Sequence, residues 1–334
     1  MIKKQPQAAI LIVNGGIDPY DGHWLSLCVG KIVEHTPGDA YRLYVWNNST
    51  DDAFVADYLR FIPNCTLVQA EPGEKLGHVH AEPLQRLYEL ARTDSMEYFV
   101  TLDTDAHPTA SGWLQTLIDA LEAGAALSGV YRDELQSAIE PYIHASCLAT
   151  TREFIEDYGL RFDYIAPHEA GRVHDTLSSF TDTARAHDLH VHPLRRSNHR
   201  NFHRLMGGIY GNAVYHHGAG SRPKVSFWDE EATAASKARN RRINEIATHF
   251  LYNDYKGYMA YLRGEDVDSG LAARLDTLAA GRLETFHDIP TTDIEVLTRP
   301  VGPTGKFGRA REAAGRLYRR LLRVASQAPR ATRR

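Results

Sequence analysis

The sequence predicts an α/β protein, a mostly parallel sheet flanked by helices with a helical extension at its C-terminal end. Three observations carry that expectation. Short apolar runs alternate with segments of helical spacing from residue 8 to about residue 131, the order that winds a parallel sheet. The runs are apolar without alternation, as strands covered on both faces are: Tyr98, Val100 and Leu102 share one run with Phe99 and Thr101. Three of them end in a polar residue, Asn14, Asn47 and Asp103, at the carboxyl ends where open α/β sheets bind ligands.

Taken in order, "AAILIVNGG" is a short strand closed by Gly15-Gly16, and "WLSLCVGKIVEH" has helical spacing. "YRLYVWNNSTDD" is a second strand ending in turn residues, followed by the helix "DDAFVADYLRFI" and the third strand "CTLVQAE". "PLQRLYELART" is helical after Pro83, and "EYFVTL" is the fourth strand. The pattern continues with the helix "LQTLIDALEAG", the strand "ALSGVY", and "IHASCLATTREFIEDYGL", which reads as a strand running into a helix. Between about 163 and 222 histidines and polar residues crowd together, as in loops rather than core. From Trp228 to about Gly281 the spacing is helical, and Pro300, Gly302, Pro303 and Gly305 make a linker before a basic helix. The expected division is 1–222 as the main domain, 223–299 as a helical region and 300–334 as linker and basic helix.

Composition bounds the function. The chain has 334 residues, is 43% hydrophobic and carries a net charge of -4, enough apolar content for a real core and too little positive charge for a general nucleic-acid binder. Cys28, Cys65 and Cys147 are odd in number and far apart, so neither a disulfide framework nor a cysteine-rich zinc site is indicated and a reducing compartment is expected. No apolar run approaches 18 residues, and the N-terminal segment lacks a signal-peptide pattern. The expected location is cytoplasmic. Residues 304–334 hold 10 Lys or Arg against Glu312 alone. At helical spacing Ala310, Ala314, Leu317, Leu321 and Val324 form a narrow apolar stripe flanked by arginines, which suits peripheral contact with an anionic membrane surface or docking on an acidic body.

The sharpest local signal is Asp103-Thr104-Asp105 at the end of an apolar strand. Ionised carboxylates there must be solvated, paired or bound to a cation. Histidines recur in "HEAGRVHD", "AHDLHVHPL" and "VYHHGAGSRP". Such spacing can build a zinc hydrolase site, yet no His-Glu-x-x-His is present and the strand-end acids would be left without a role.

"TLDTDAHPTASGWLQTLIDAL" resembles the "LDxDxxPxxGWLxxL" segment, and "VWNNSTDD" the "VDNGSTD" segment, of nucleotide-sugar glycosyltransferases of the GT-A fold, closest to the inverting group called family 2. "CLATTREFIEDYGLRFD" resembles the segment after the sugar site, and "HHGAGSR" the "HxGGxS" loop; together the likeness spans residues 8 to 222. It implies a metal-dependent, inverting transfer of a sugar from a UDP-, GDP- or dTDP-sugar to a hydroxyl acceptor, such as a cell-envelope glycan or lipid-linked saccharide. Such a reaction needs a cation, Mn²⁺ or Mg²⁺, to neutralise the pyrophosphate leaving group. The resemblance implies Asp105 and Asp103 at the metal, with Asp103 also reaching ribose or sugar hydroxyls. His216 is the implied third ligand, with His217 as its alternative.

Inversion also needs a general base. The family places an acid at the start of a helix before the last strand, which in "RVHDTLSSFTDTARAHDLHVHPL" is Asp175, with Asp182 and Glu169 in reserve. An Asp at that point is equally suited to cap the helix. For the donor, Asn14 and Asp18 of the first loop are expected to border the nucleotide, and Trp46 with Asn47 ends the second strand, where Trp46 either stacks on a nucleobase or belongs to the core. Gly77, His78 and His80 sit where family members line the diphosphate, the histidines reading more readily as hydrogen-bonded loop residues than as metal ligands. A nucleotidyltransferase of similar fold would want basic residues in the first loop, and Lys and Arg are absent from residues 14 to 30. A non-catalytic sugar-binding relative would not need both acids and His216.

Overall fold

The computed structural model describes residues 8–15, 21–48, 53–71, 76, 78–134, 140–167, 174–202, 207–218 and 234–289. Asp18, Gly77, Glu169 and the basic segment 304–334 lie outside the described residues.

A seven-stranded sheet forms the centre, in the order β3-β2-β1-β4-β7-β6-β8. Strand β1 (Ala8–Asn14) is buried along its whole length. It pairs in parallel with β2 (Tyr41–Asn47) and with β4 (Tyr98–Asp103), and β2 pairs in parallel with β3 (Cys65–Gln69). Strand β7 (Tyr142–Thr151) runs antiparallel to both β4 and β6 (Leu127–Arg132), while β8 (Val191–Leu194) is parallel to β6. Six strands therefore share one direction and β7 opposes them. The mostly parallel sheet is as expected; the reversal of β7 is not visible in its sequence, because a strand buried on both faces reads the same in either direction.

Side chains of β1 alternate between two cores. Ile10 and Ile12 join Leu25, Cys28, Val29 and Ile32 of α1 (Asp21–His35), Val55 of α2 (Ala53–Arg60), and Trp113 and Leu117 of α4 (Trp113–Glu122). Leu11 and Val13 join Leu84 and Leu87 of α3 (Ala81–Thr93), Phe154 of α5 (Arg152–Asp157), and Phe180 of α6 (Ser178–Ala186). This period of two is the reason a run with no polar residue still has two distinct faces.

Two further features position the strand ends. Helix α4 starts after Gly112, whose φ of 82° lies in the left-handed region where glycine carries no steric cost. Its first residue, Trp113, donates its indole N–H to Thr36 Oγ1 at 2.8 Å and so ties the helix to the end of α1. In β6 the register with β7 shifts between Gly129 and Tyr131, and a Cβ on Gly129 would overlap the Cys147 carbonyl. That bulge sets Arg132 opposite Tyr142.

A second, antiparallel sheet was not anticipated. It joins β5 (Ala106–Pro108), β10 (Val214–His216) and β9 (Gly208–Tyr210), with β10 in the middle. Three-residue strands give no periodic signal of their own, and these two partners are separated by about a hundred residues of chain. Helices α7 (Ala234–Asn253), α8 (Tyr255–Arg263) and α9 (Ser269–Ala279) fulfil the helical expectation for the C-terminal region. Their apolar residues share a core with Trp24, Ile209 and Tyr215, so the helical region is packed on the domain that carries the sheet. No described helix is long and apolar enough to cross a membrane.

Candidate active site

Asp103 is the last residue of β4, opposite Val13 of β1. One turn later the chain enters β5, and pairing of β5 with β10 sets His216 opposite Ala106. The backbone carbonyl of Asp105 accepts from His217 N at 2.9 Å, locking the two segments together. As a result His216 Nε2 lies 3.6 Å from Asp105 Oδ1 and 4.0 Å from Asp103 Oδ2. His80, just before α3, places Nε2 3.3 Å from Asp103 Oδ1. Thus the strand-end acids and the distant His216, linked in the sequence only by resemblance, meet in space.

Three residues absent from the sequence expectation complete the cluster. Because β7 runs against its neighbours, its beginning lies where their ends lie, and it brings Tyr142 and His144 to the same edge. One ligating atom each from Asp103, His144 and His216 lies within 4.8 Å of the others, and the His144 and His216 rings are 5.3 Å apart. Arg132, buried at the end of β6, donates from Nη1 to His216 Nδ1 at 3.2 Å. Its Nε is ion-paired with Glu134 at 2.5 Å. Glu134 also accepts from the Tyr210 hydroxyl and lies 3.9 Å from Arg196. The available signal for Tyr142 and His144 is their spacing: residues i and i+2 at the start of a strand point to one face.

Electrostatics follow from burial. Desolvation, reinforced by the Arg132 charge, pushes His216 well below the usual imidazole range and His144 down to about 4. Both are neutral at pH 7. Burial opposes ionisation of Asp103, yet the hydrogen bond from His80 and the imidazoles of His80, His144 and His216 hold its carboxyl well below the usual range. The tautomers can be inferred from the bonds. An arginine only donates, so His216 Nδ1 accepts and the neutral ring carries its proton on Nε2. The Ser146 backbone N–H donates to His144 Nδ1 at 3.0 Å, with the same consequence.

Asp103 offers a carboxylate oxygen donor of the kind a hard divalent cation takes, within 4.8 Å of ligand atoms of His144 and His216, and Asp105 follows two residues on at the strand end. The imidazoles, as hydrogen-bonded, turn N–H groups rather than lone pairs toward those acids. Ligation by His216 through Nε2 therefore requires Nδ1 to give up Arg132.

Asp175 lies two residues before Leu177, whose φ of 64° is left-handed. A buried leucine in that conformation is strained and is held by its packing beside Phe162 and Phe180 in the second core. Helix α6 starts only at Ser178, and Asp175 does not cap it. Its Oδ1 accepts from Thr176 N at 2.8 Å, its Oδ2 accepts from the Tyr142 hydroxyl at 2.7 Å, and that Oδ2 is 3.8 Å from His144 Nε2. The capping alternative is thus replaced by a carboxylate turned toward β7. Asp182, the described reserve candidate, faces His174 and Arg185 at 3.6 and 3.8 Å.

The remaining candidates divide. Asn14 Nδ2 donates to Asn47 Oδ1 at 2.8 Å, and Asn47 Nδ2 donates to Gln69 Oε1 at 3.0 Å, forming an amide ladder across the ends of β1, β2 and β3. Trp46 belongs to the core: it is 3% exposed, packed in the second cluster with Arg86 5.2 Å over its ring. The structure gives it no open face for stacking a base. His78 Nδ1 accepts from the backbone of His80 and Ala81 at the start of α3, a loop and capping role. His217 is turned away from the acids. Its Nδ1 is 2.7 Å from the Tyr215 hydroxyl, its Nε2 is 3.0 Å from Thr248 Oγ1, and its ring packs on Trp24. With both nitrogens engaged, His217 has no lone pair directed at Asp103 or Asp105, and the alternative third ligand is set aside.

No family model matches the sequence, and no curated protein matches it. Among solved structures, this chain is similar to Staphylococcus aureus TarS residues 1–349 in complex with UDP, at 12% identity over 85% of this chain and 90% of that one, with a TM-score of 0.42. The same protein with UDP-GlcNAc gives 11% identity, the same coverage and a TM-score of 0.40. The glycosyltransferase GlyE of Streptococcus pneumoniae TIGR4 is similar at 12% identity over 57% of this chain and 45% of that one, with a TM-score of 0.37.

Proposed function

We propose that this protein is an inverting glycosyltransferase of GT-A type that moves a sugar from a nucleotide-diphosphate sugar to a hydroxyl acceptor with the help of Mn²⁺ or Mg²⁺. One observation carries the reading. The acids at and just after the end of β4, the histidine of β10 and Asp175 before α6, each singled out in sequence by the same family pattern, lie at one end of the sheet. His144 stands between them, 3.8 Å from Asp175 and grouped with Asp103 and His216.

Asp105 and Asp103 are the residues that would hold the cation, with His216 third once Arg132 releases its Nδ1. A bound cation supplies Lewis-acid neutralisation of the diphosphate as it leaves. Asp175 takes the proton from the acceptor hydroxyl while that oxygen bonds to the anomeric carbon and the bond to the diphosphate breaks; the configuration inverts because attack and departure are on opposite sides. Asn14 and Asn47, fully buried, hold the ends of β1 and β2 together beside the site. A cytoplasmic enzyme held to an anionic leaflet by residues 304–334 belongs to the same proposal, with attachment reversed by salt.

The deciding experiment is a screen of UDP-, GDP- and dTDP-sugars for slow hydrolysis with Mn²⁺. Hydrolysis of one donor, and formation of a β-linked product from an α-linked donor when a hydroxyl acceptor is added, is the expected result. A product of retained configuration would refute inversion, and no metal-dependent turnover of any donor would refute the whole reading.

A further inference from the structure

The Tyr142 hydroxyl has no place in the reading so far, yet it makes one of the shortest side-chain bonds at the edge of the sheet, 2.7 Å to Asp175 Oδ2. Tyr142 is 1% exposed. Burial and the neighbouring Asp175 carboxylate raise its phenol well above the usual tyrosine range, so it stays a proton donor at any working pH. Its place is fixed from three sides. It pairs in register with Arg132 after the Gly129 bulge, its ring is 5.6 Å from that of His144, and the next residue donates its backbone N–H to Thr181 Oγ1 of α6 at 3.0 Å. That last bond ties the start of β7 to the helix that follows Asp175.

Asp175, by contrast, stands on a short segment. Its Oδ1 is bound only locally, to the N–H of the next residue, and the turn after it is held by the left-handed Leu177. Apart from the Tyr142 bond, rotation about the side chain would break only that local bond. The Tyr142 bond is the long-range contact, across 33 residues of chain, that selects one rotamer. It occupies one lone pair of Oδ2. His144 Nε2, at 3.8 Å, is beyond direct hydrogen-bond reach of the same oxygen, so it bounds the space without replacing the tyrosine.

We propose that Tyr142 is a positioning residue that acts through Asp175: its hydroxyl holds the carboxylate in the orientation needed to accept the acceptor's proton. The inference rests on Asp175 being the base and is tested so that the two can fail separately. Tyr142→Phe removes the hydroxyl and keeps the buried ring. The expected result is a fall in kcat of about 10-fold, a part of the 100-fold or more that a positioned base contributes. The donor KM and the Mn²⁺-dependent affinity for nucleoside diphosphate, read by calorimetry, stay at the wild-type value.

The double variant supplies the second measurement. If Tyr142 acts only through Asp175, adding Tyr142→Phe to Asp175→Asn costs nothing further. Wild-type kcat in Tyr142→Phe alongside a strong loss in Asp175→Asn would overturn the role of Tyr142 and leave the base intact. Near-normal turnover in Asp175→Asn would overturn both. Fully multiplicative losses in the double variant would show Tyr142 acting independently of Asp175 and would also refute the proposal, including the case in which the phenylalanine merely loosens the fold.

Discussion

The two halves of the sheet's ligand edge are built from different chemistry. On the β1–β2–β3 side the strand ends carry neutral amides, Asn14, Asn47 and Gln69, which are hydrogen-bonded to one another in a ladder. On the β4–β7–β6 side the ends carry Asp103, His144 and Arg132, joined by Asp105, Glu134 and His216. Asn14 and Asn47 are fully buried, and although their amides bond to one another, Asn14 Oδ1 has no partner among the described residues, a cost that a neutral amide bears more readily than a charge. The charged half can be buried only because each charge has a partner, and that dependence gives it perturbed proton affinities. One half fixes the strand ends; the other is where the proposed proton and leaving-group chemistry would take place.

The largest effect should come from breaking the charged half at its acids. Asp105→Ala is expected to abolish Mn²⁺-dependent binding of a nucleoside diphosphate while the fold persists, and calorimetry with UDP, GDP and dTDP reads it. Metal-dependent affinity equal to wild type would sink the assignment. Next comes Asp175→Asn. Since Asp175 does not cap α6, the substitution should leave thermal stability near wild type and lower transfer by roughly 100-fold, with donor binding unchanged; steady-state kinetics and a melting curve separate the two.

The neutral half should respond in stability rather than in chemistry. Asn47→Leu leaves the Asn14 amide without its acceptor and Gln69 without its donor, at a cost of about 1 to 3 kcal/mol for the buried group. Urea unfolding would measure it, and a larger loss in turnover than in stability would blur the division between the halves.

The smallest expected effect concerns pH and sharpens the contrast between the adjacent His216 and His217. His217 is held down to about 4 by burial, against hydrogen bonding to Asn244 oxygens that raises it, and His107 down to about 3 by burial and the Lys31 charge. Both groups are neutral in the fold, whereas the unfolded chain protonates them near 6.5. Their stability contribution is therefore full above about pH 6.5 and is lost as pH falls toward 4 and then 3. Melting temperatures in metal-free buffer should decline over that window, and His217→Gln should flatten the upper part of the decline.

The sequence by itself determined the alternating elements and the apolar fourth strand ending in two acids, while His216 and Asp175 were candidates through the resemblance of short motifs. Each is written in contiguous residues, where hydrophobic period, turn residues and local motif act over a few positions. It could not decide whether Trp46 was core, whether His217 competed with His216, or whether Asp175 was a cap. Those are matters of which side chains are neighbours, and neighbours here come from residues tens to hundreds of positions apart. Nor did it show His144, Tyr142 and Arg132. Their role depends on β7 lying antiparallel between β4 and β6, and strand direction is set by how the whole sheet packs, because the same buried apolar strand can pair either way along its backbone.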